Sequence, residues 1–520
     1  MAALLLAASN LVSRVLGYAR DVVLGSYEGS SPAAGAYFAA FQLPDLLNYL
    51  LAGGALSIAF LPLYTRARAR SEEEARRLLA IVLGSLSVAA IALTGVLWLT
   101  ADPLIARLYP RFEPEVMGLT AELTRIVLPA QIFFVIGGIL NAALLARGQF
   151  WAAALAPLLY NLCIIGFGVA LHDRIGVHGF AYGVLIGAAL GPCAAPLISC
   201  LRRRVPLGFR FAPRSGAFLR YLWIAAPLML GQSLLTVDEY FDRFFGALIG
   251  TDVVAWLSYA RKLMLVPVAV VGQAIAAAAL PTFARLYEAG KIAELNATLL
   301  GGVRAGLALG VLLSVPLAVF ASPIVVLVYQ RGEFVSADSA QVASLLRLMT
   351  FAAPSWIAQQ ILVRAFYARG DTWRPMILGT GMVIAVLPLY ALAADRLGAV
   401  GLALAGVVAM ALNVVVTLAL AHRLHGAPAI APLLSSLGRA FGIALLACAC
   451  ALLACTLLLG PPTWLDPAAP ISPSASLITF LVGGFFYGIS AAPAALRFGD
   501  PPTRQTLERI LRRLRRRRAG

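Results

Sequence analysis

ADPLIARLYPR at residues 101–111 returns as ASPIVVLVYQR at residues 321–331, and this pair of segments sets the expected architecture. At an offset of 219–222 residues the chain aligns with itself again and again: Arg125 with Arg347, ARG (146–148) with ARG (368–370), and DRIGVHGFA (173–181) with DRLGAVGLA (395–403). Leu61, Pro62 and Arg66 find counterparts in Leu280, Pro281 and Arg285. Matches in loops and apolar stretches alike, kept in one order, indicate an internal duplication.

What lies between the matched segments fixes the solvent. Of 520 residues 61% are hydrophobic and 12% charged, with a mean hydropathy of +0.87, well outside the soluble balance of about half apolar and a quarter charged. Apolar runs long enough to cross a bilayer as helices recur at 4–26, 33–64, 78–101, 117–145, 151–171, 178–200, 217–249, 253–284, 296–321, 341–367, 375–394, 399–421, 434–459 and 475–496. The sequence thus predicts an all-α polytopic membrane protein of about 14 transmembrane helices: two parallel-repeat six-helix lobes plus two C-terminal helices. Six is even, so both copies insert in the same direction and are related by an axis along the membrane normal, as in transporters. The expected domains are an N-lobe (1–215), a C-lobe (216–430), a final helix pair (431–500) and a polybasic tail (501–520). Lacking a basic leader and a tidy cleavage site, the first run reads as a retained helix.

Lysine and arginine set the orientation. With the N-terminus inside, the inner loops and tail collect most of the basic residues, Arg66, Arg68, Arg70, Arg202–Arg204 and RRLRRRR (512–518) among them. The outer face keeps only Arg107, Arg111, Arg174, Arg331 and Arg396. Both termini are therefore expected in the cytoplasm. The net charge of +17 serves the membrane surface, and no nucleic-acid motif accompanies it. The six cysteines, Cys163, Cys193, Cys200, Cys448, Cys450 and Cys455, fall inside spans without a C-x-x-C pair and read as small packing residues. His172, His178, His422 and His425 sit at loop edges with no acid or cysteine cluster nearby in sequence, so no metal site is expected.

Charges inside the spans are the functional signal, because an arginine at mid-bilayer costs at least ~3 kcal/mol and faces a bundle interior or a wet cavity. Span 1 carries Arg14, Arg20 and Asp21. At 100° per residue Arg14 and Asp21 lie within about 20° of each other, while Arg20 is turned about 120° away. One ion pair does not satisfy all three. Either Arg20 runs towards the interface, or a wide cavity or a bend at Gly17 lets both arginines face one space. Span 2 adds Asp45 and Asn48, span 7 adds Asp238, Glu239, Asp242 and Arg243, and span 8 adds Arg261 and Lys262. Fixed positive charge in a membrane cavity calls for an anionic ligand, and the planar arginine fork suits phosphate oxygens. Asp238 and Asp242, one turn apart, are candidates for a coupling cation or a gate, or for pairing with Arg243 or Lys262.

Taken together, SRVLGYARD (13–21), AFQLPDLLNYLLAGGALSIAFLP (40–62), SYARKLMLVP (258–267), YQRGEF (329–334) and FYARGDTWRP (366–375) resemble the MurJ/MviN family of lipid II flippases, over essentially the whole chain. The resemblance implies two six-helix lobes around a cationic cavity, with the last helix pair lining a groove for a polyprenyl tail. It implies a peptidoglycan precursor, undecaprenyl diphosphate bearing a disaccharide-pentapeptide, moved from the inner to the outer leaflet of the bacterial cytoplasmic membrane. No enzyme activity, cofactor or metal is implied; membrane potential or a coupling cation would drive the cycle, and a cell-wall synthesis complex is a candidate partner. Ser13, Arg14 and Arg20 match the family's span 1 residues, and Lys262 stands where the family has an arginine; Arg261 and Asn48 complete the expected substrate set, with Asp21, Asp45, Asp238 and Asp242 as coupling or gate candidates. The chain departs from the family at Gly35, where an acid is usual, at Asn48 for an arginine, at Gly53 for a glutamate and at Leu265 for another glutamate. These departures leave open a flippase for a different polyprenyl-diphosphate-linked oligosaccharide. A drug/cation antiporter of the same superfamily would want an acidic cavity. A membrane transferase would need a metal-binding DxD or a histidine beside acids, which the loops lack.

Overall fold

A computed structural model of the chain describes residues 2–52, 59–230, 234–426, 431–466, 469 and 471–508. Gly53 and the arginine-rich stretch 512–518 lie outside them. The described residues form helices and connecting turns, with no strand among them. Within hydrocarbon a backbone has only its own segment to bond to, which is why apolar runs of this length become helices.

Among the described residues nine helices are long and apolar enough to cross a bilayer. One of these, Trp373–His425, is 53 residues long and holds two of the predicted spans, bent apart at Gly398 with φ 57°. The remaining predicted spans are helical but interrupted or charged. Span 1 is Ala2–Glu28, with its two arginines and Asp21. Span 2 begins as Pro32–Ala40 and Gln42–Ala52 and resumes in Leu61–Arg70. Span 7 is divided into Gly216–Leu230 and Leu234–Ala247, and span 10 into Ser336–Met349 and Ala353–Ala368 around a short 3₁₀ turn. Several helix starts are written in the sequence: Ser31, Ser71 and Ser472 each accept a hydrogen bond from the backbone N–H three residues on.

The chain folds as two compact units, Met1–Gln232 with Ala247–Ala255, and Ser233–Gly246 with Trp256–Gly520. In the first, Phe60, Tyr64, Leu79, Ile81, Val82, Val135 and Ile139 form a contiguous core. In the second, Ala308, Val311 and Val315 meet Ala440, Ala444 and Cys448 of Ala431–Leu459. Small residues let helix backbones approach closely where no hydrophobic drive separates helix from lipid. Cys200, Cys448 and Cys455 are buried in this packing role, whereas Cys450 faces outward.

The duplication is visible in hydrogen bonds made separately within each unit. Tyr109 donates its hydroxyl to the carbonyl of Ala39 at 3.1 Å, and Tyr329 donates to the carbonyl of Tyr259 at 3.5 Å, both partners shifted by 220 residues. Arg125 pairs with Asp102, and its counterpart Arg347 bonds the Ser322 hydroxyl at 3.0 Å. Each ARG segment ends a helix in the same left-handed turn: Gly148 has φ +71° and Gly370 φ +75°. The N–H groups of Gln149 and Asp371 return to the carbonyls of Leu144 and Phe366 at 2.9 and 3.1 Å. Only glycine adopts that backbone without strain, so the motif persists in both copies.

Candidate functional site

In the first unit, helix Ala2–Glu28 lies along Trp151–Ile175, and Asn161 is the hub between them. The Asn161 Oδ1 accepts from Arg20 Nη1 at 3.4 Å. Its Nδ2 donates to the hydroxyl and carbonyl of Ser13 at 3.4 Å and to the Pro157 carbonyl at 2.9 Å. Arg20 folds back on its neighbour, donating to Asp21 Oδ1 from Nη2 at 2.8 Å and from Nε at 3.0 Å. Arg20 is thus tied to Asp21 on its own helix and to Asn161 on the neighbouring one. Its side chain is 21% exposed while Asp21 is 5% exposed, so the acid is sealed and the arginine is partly accessible. Tyr37, Tyr160 and Asp21 lie within electrostatic reach of Arg20, and Asp45 within reach of Tyr160. Arg14 lies half-buried on the same helix, within electrostatic reach of Tyr18. Asn48 donates to Gln131 Oε1 at 2.7 Å, away from the Asn161 hub.

Two departures from the family pattern gain a physical account. A Cβ at Gly35 would strike the backbone carbonyl of Thr251, so the packing of this unit has no room for the usual acid. Asn48 fits a neutral amide pair, which a longer arginine would not form.

In the second unit a buried ion cluster joins Leu234–Ala247 to Thr251–Pro267. Arg261 donates from Nη1 to Asp238 Oδ2 at 2.6 Å and from Nε to Asp242 Oδ2 at 3.0 Å; Nη2 also reaches Asp242. Tyr390, from the long helix Trp373–His425, donates its hydroxyl to the other Asp238 oxygen. Asp238, Asp242 and Arg261 are 2%, 4% and 3% exposed, so the set is closed to water. Gly406 lets its helix pass close, since a Cβ there would stand 3.3 Å from Asp238 Oδ1. Arg243 pairs along its own helix with Glu239 at 2.6 Å, and Lys262 lies within electrostatic reach of Glu239. The aspartates thus pair with Arg261, a partner that the sequence reading had not weighed for them.

Ser13, Arg20 and Asp21 are brought together in the first unit, and Asp238, Asp242 and Arg261 in the second. Asn161, Tyr160 and Tyr390 escaped the sequence reading; each carries a polar group inside a predicted span, which was the available signal. The histidines find acids from distant segments: His172 Nε2 lies 3.1 Å from Glu28, and His178 Nε2 3.3 Å from Glu122. Among the described residues no group of three or more His, Cys, Asp or Glu is placed to hold a metal ion.

Residues 24–465 match the family described as lipid II flippase MurJ. A curated relative from Rhizobium meliloti, named probable lipid II flippase MurJ, is 28% identical over 501 residues, covering 94% of this chain and 91% of that protein. Among solved structures, one described as lipid II flippase MurJ in an inward closed conformation superposes with a TM-score of 0.77 at 22% identity, over 95% of this chain and 99% of that one. An inward-facing multidrug resistance MATE transporter gives a TM-score of 0.66 at 18% identity, over 82% and 96% of the two chains.

Proposed function

Because this chain belongs to the MurJ family of lipid II flippases, we propose that it carries lipid II from the inner to the outer leaflet of the bacterial cytoplasmic membrane by alternating access. The observation that carries this reading is the cationic end of span 1. Arg20 is oriented by Asp21 and Asn161 and stays partly accessible, shares Asn161 with Ser13 and stands on the same helix as Arg14. An arginine fork held in place by neighbours loses little freedom when it meets a diphosphate, and in a medium of low dielectric each such contact is strong. Arg14, Arg20 and Lys262 grip the diphosphate, while the polyprenyl chain stays in lipid along residues 431–500. Residues 1–215 and 216–430 act as the two lobes that rock, and the tail 501–520 rests on anionic headgroups with both termini in the cytoplasm. A cell-wall synthesis complex would receive the product.

Arg261 belongs to a different task. Two buried aspartates need a cation, and the guanidinium already placed between them supplies it. Direction comes instead from the membrane potential: exporting two negative charges from an interior 100 mV negative releases roughly 4.6 kcal/mol, from ~2.3 per charge. A MATE-like cation antiporter is the weaker reading, since the span 1 site is basic and would repel a cationic drug. The departures at Gly35 and Asn48 favour, as the second reading, a related polyprenyl-diphosphate glycan as cargo.

The test is a bacterium depleted of its own lipid II flippase and supplied with this chain. The amount of lipid II reachable from outside the cell is expected to recover. No recovery, with the chain present in the membrane, would assign it another cargo.

A further inference from the structure

The two copies of the ARG turn differ in one respect that points to a ligand. In the first copy Arg147 is closed by an acid: Nη2 donates to Glu72 Oε2 at 2.5 Å, and Nε and Nη2 both reach the Tyr64 hydroxyl at 3.2 Å. The equivalent Arg369 has no ion pair among the described residues. It donates only to neutral oxygens, the Ala365 carbonyl and Asn296 Oδ1, each at 3.0 Å. Asn296 is itself pinned, donating to the carbonyls of His425 and Gly426 at 3.0 Å, so Arg369 is held in place rather than left to wander. Its remaining donors border a cleft of about 480 Å³ shared with Tyr287, Asp371, Arg374 and His425.

The lining carries two guanidinium groups and one carboxylate. That carboxylate is occupied: Asp371 Oδ1 caps the Arg374 N–H at 3.1 Å and Oδ2 takes Arg374 Nη1 at 3.2 Å. His425 Nε2 is buried with no hydrogen-bond partner. Burial lowers the Arg369 guanidinium from its ordinary range, a cost that an anion would offset. One net positive charge in a cleft of this size fits a singly charged phosphodiester or a phosphate ion.

We propose that this cleft binds a phosphate group, with Arg369 and Arg374 as the donors of a fork and His425 lining the same wall, in the place that Glu72 fills for Arg147. The phosphate is either the headgroup of an anionic lipid at the helix ends or a soluble anion. The site is separate from the span 1 residues and does not rest on the flippase reading.

The experiment uses the full chain purified in maltoside detergent, titrated by calorimetry with dioctanoyl phosphatidylglycerol and, separately, with inorganic phosphate. Saturable binding is expected, weakened by roughly tenfold or more in Arg369→Gln/Arg374→Gln and unchanged in Arg147→Gln. Asp371→Asn keeps the cap, removes the competing charge and tightens binding, which carries the test should the double variant fail to fold. Binding of the phospholipid alone assigns a lipid headgroup site; binding of inorganic phosphate as well assigns a general phosphate site. Failure of both probes to saturate, or equal affinity in Arg369→Gln/Arg374→Gln and the unaltered chain, overturns the proposal.

Discussion

Arg14→Ala is expected to cut lipid II appearance at the outer leaflet by roughly one to two orders of magnitude, the size of one lost charge-assisted contact to phosphate at about 1.5–3 kcal/mol. The amount of protein in the membrane should change little, because Arg14 is half-buried and its replacement by alanine takes a costly charge out of an apolar segment. Arg20→Ala is expected to reduce transport by as much and to cost stability besides, since Asp21, 5% exposed, loses both of its Arg20 hydrogen bonds. Arg20→Lys separates the two effects. It keeps the charge beside Asp21 but gives up the fork, so stability returns while transport recovers only in part. Flipping assayed in cells at matched expression, alongside thermal denaturation in detergent, reads both quantities. Normal transport by a well-expressed Arg14→Ala protein would remove that residue from the substrate set.

The second large effect falls on stability. Arg261→Ala leaves Asp238 and Asp242 buried together without their shared cation, and breaking a buried pair in this way costs about 3–5 kcal/mol. The purified variant is expected to denature at a much lower temperature, and the cell to hold little of it. Neutralising the whole set with Asp238→Asn, Asp242→Asn and Arg261→Gln should recover most of the loss, because hydrogen bonding persists and no charge is stranded. Transport by that triple variant then separates brace from coupling site. An internal brace predicts that a folded triple variant still flips lipid II; loss of transport with the fold intact would return the two aspartates to a coupling or gating role.

Much of the helical framework was legible in the sequence because hydropathy and the repeat are local or periodic signals. The repeat that aligns Arg125 with Arg347, 222 residues apart, also aligns their hydrogen-bond partners at 102 and 322, 220 apart, and both ARG turns keep a glycine in the left-handed region. Interruptions were less legible: 217–249 reads as one apolar run, yet two helices share it. The candidate site divides in the same way. Arg14, Arg20 and Asp21 announce themselves as charges in an apolar run, but the helical wheel parted Arg20 from Asp21 by 100° and gave no hint that a flexible guanidinium would fold back across it. Partners from distant helices were beyond any pattern in one sequence. Asn161 reaches Arg20 across 141 residues and Tyr390 reaches Asp238 across 152. The same limit applies to Arg261, adjacent in sequence to Lys262 but turned 100° from it, so that one meets two aspartates and the other the field of Glu239.

At the centre of this account is a diphosphate held by the arginines of the first helix, and equilibrium binding tests that most directly. Purified protein in detergent is titrated with lipid II and, in parallel, with undecaprenol, which has the same tail and no phosphate. The unaltered chain is expected to bind lipid II far more tightly than undecaprenol, and Arg14→Ala to lose roughly tenfold or more of that affinity. Equal affinities for the two lipids, or an Arg14→Ala protein that binds lipid II as well as the unaltered chain, would contradict it.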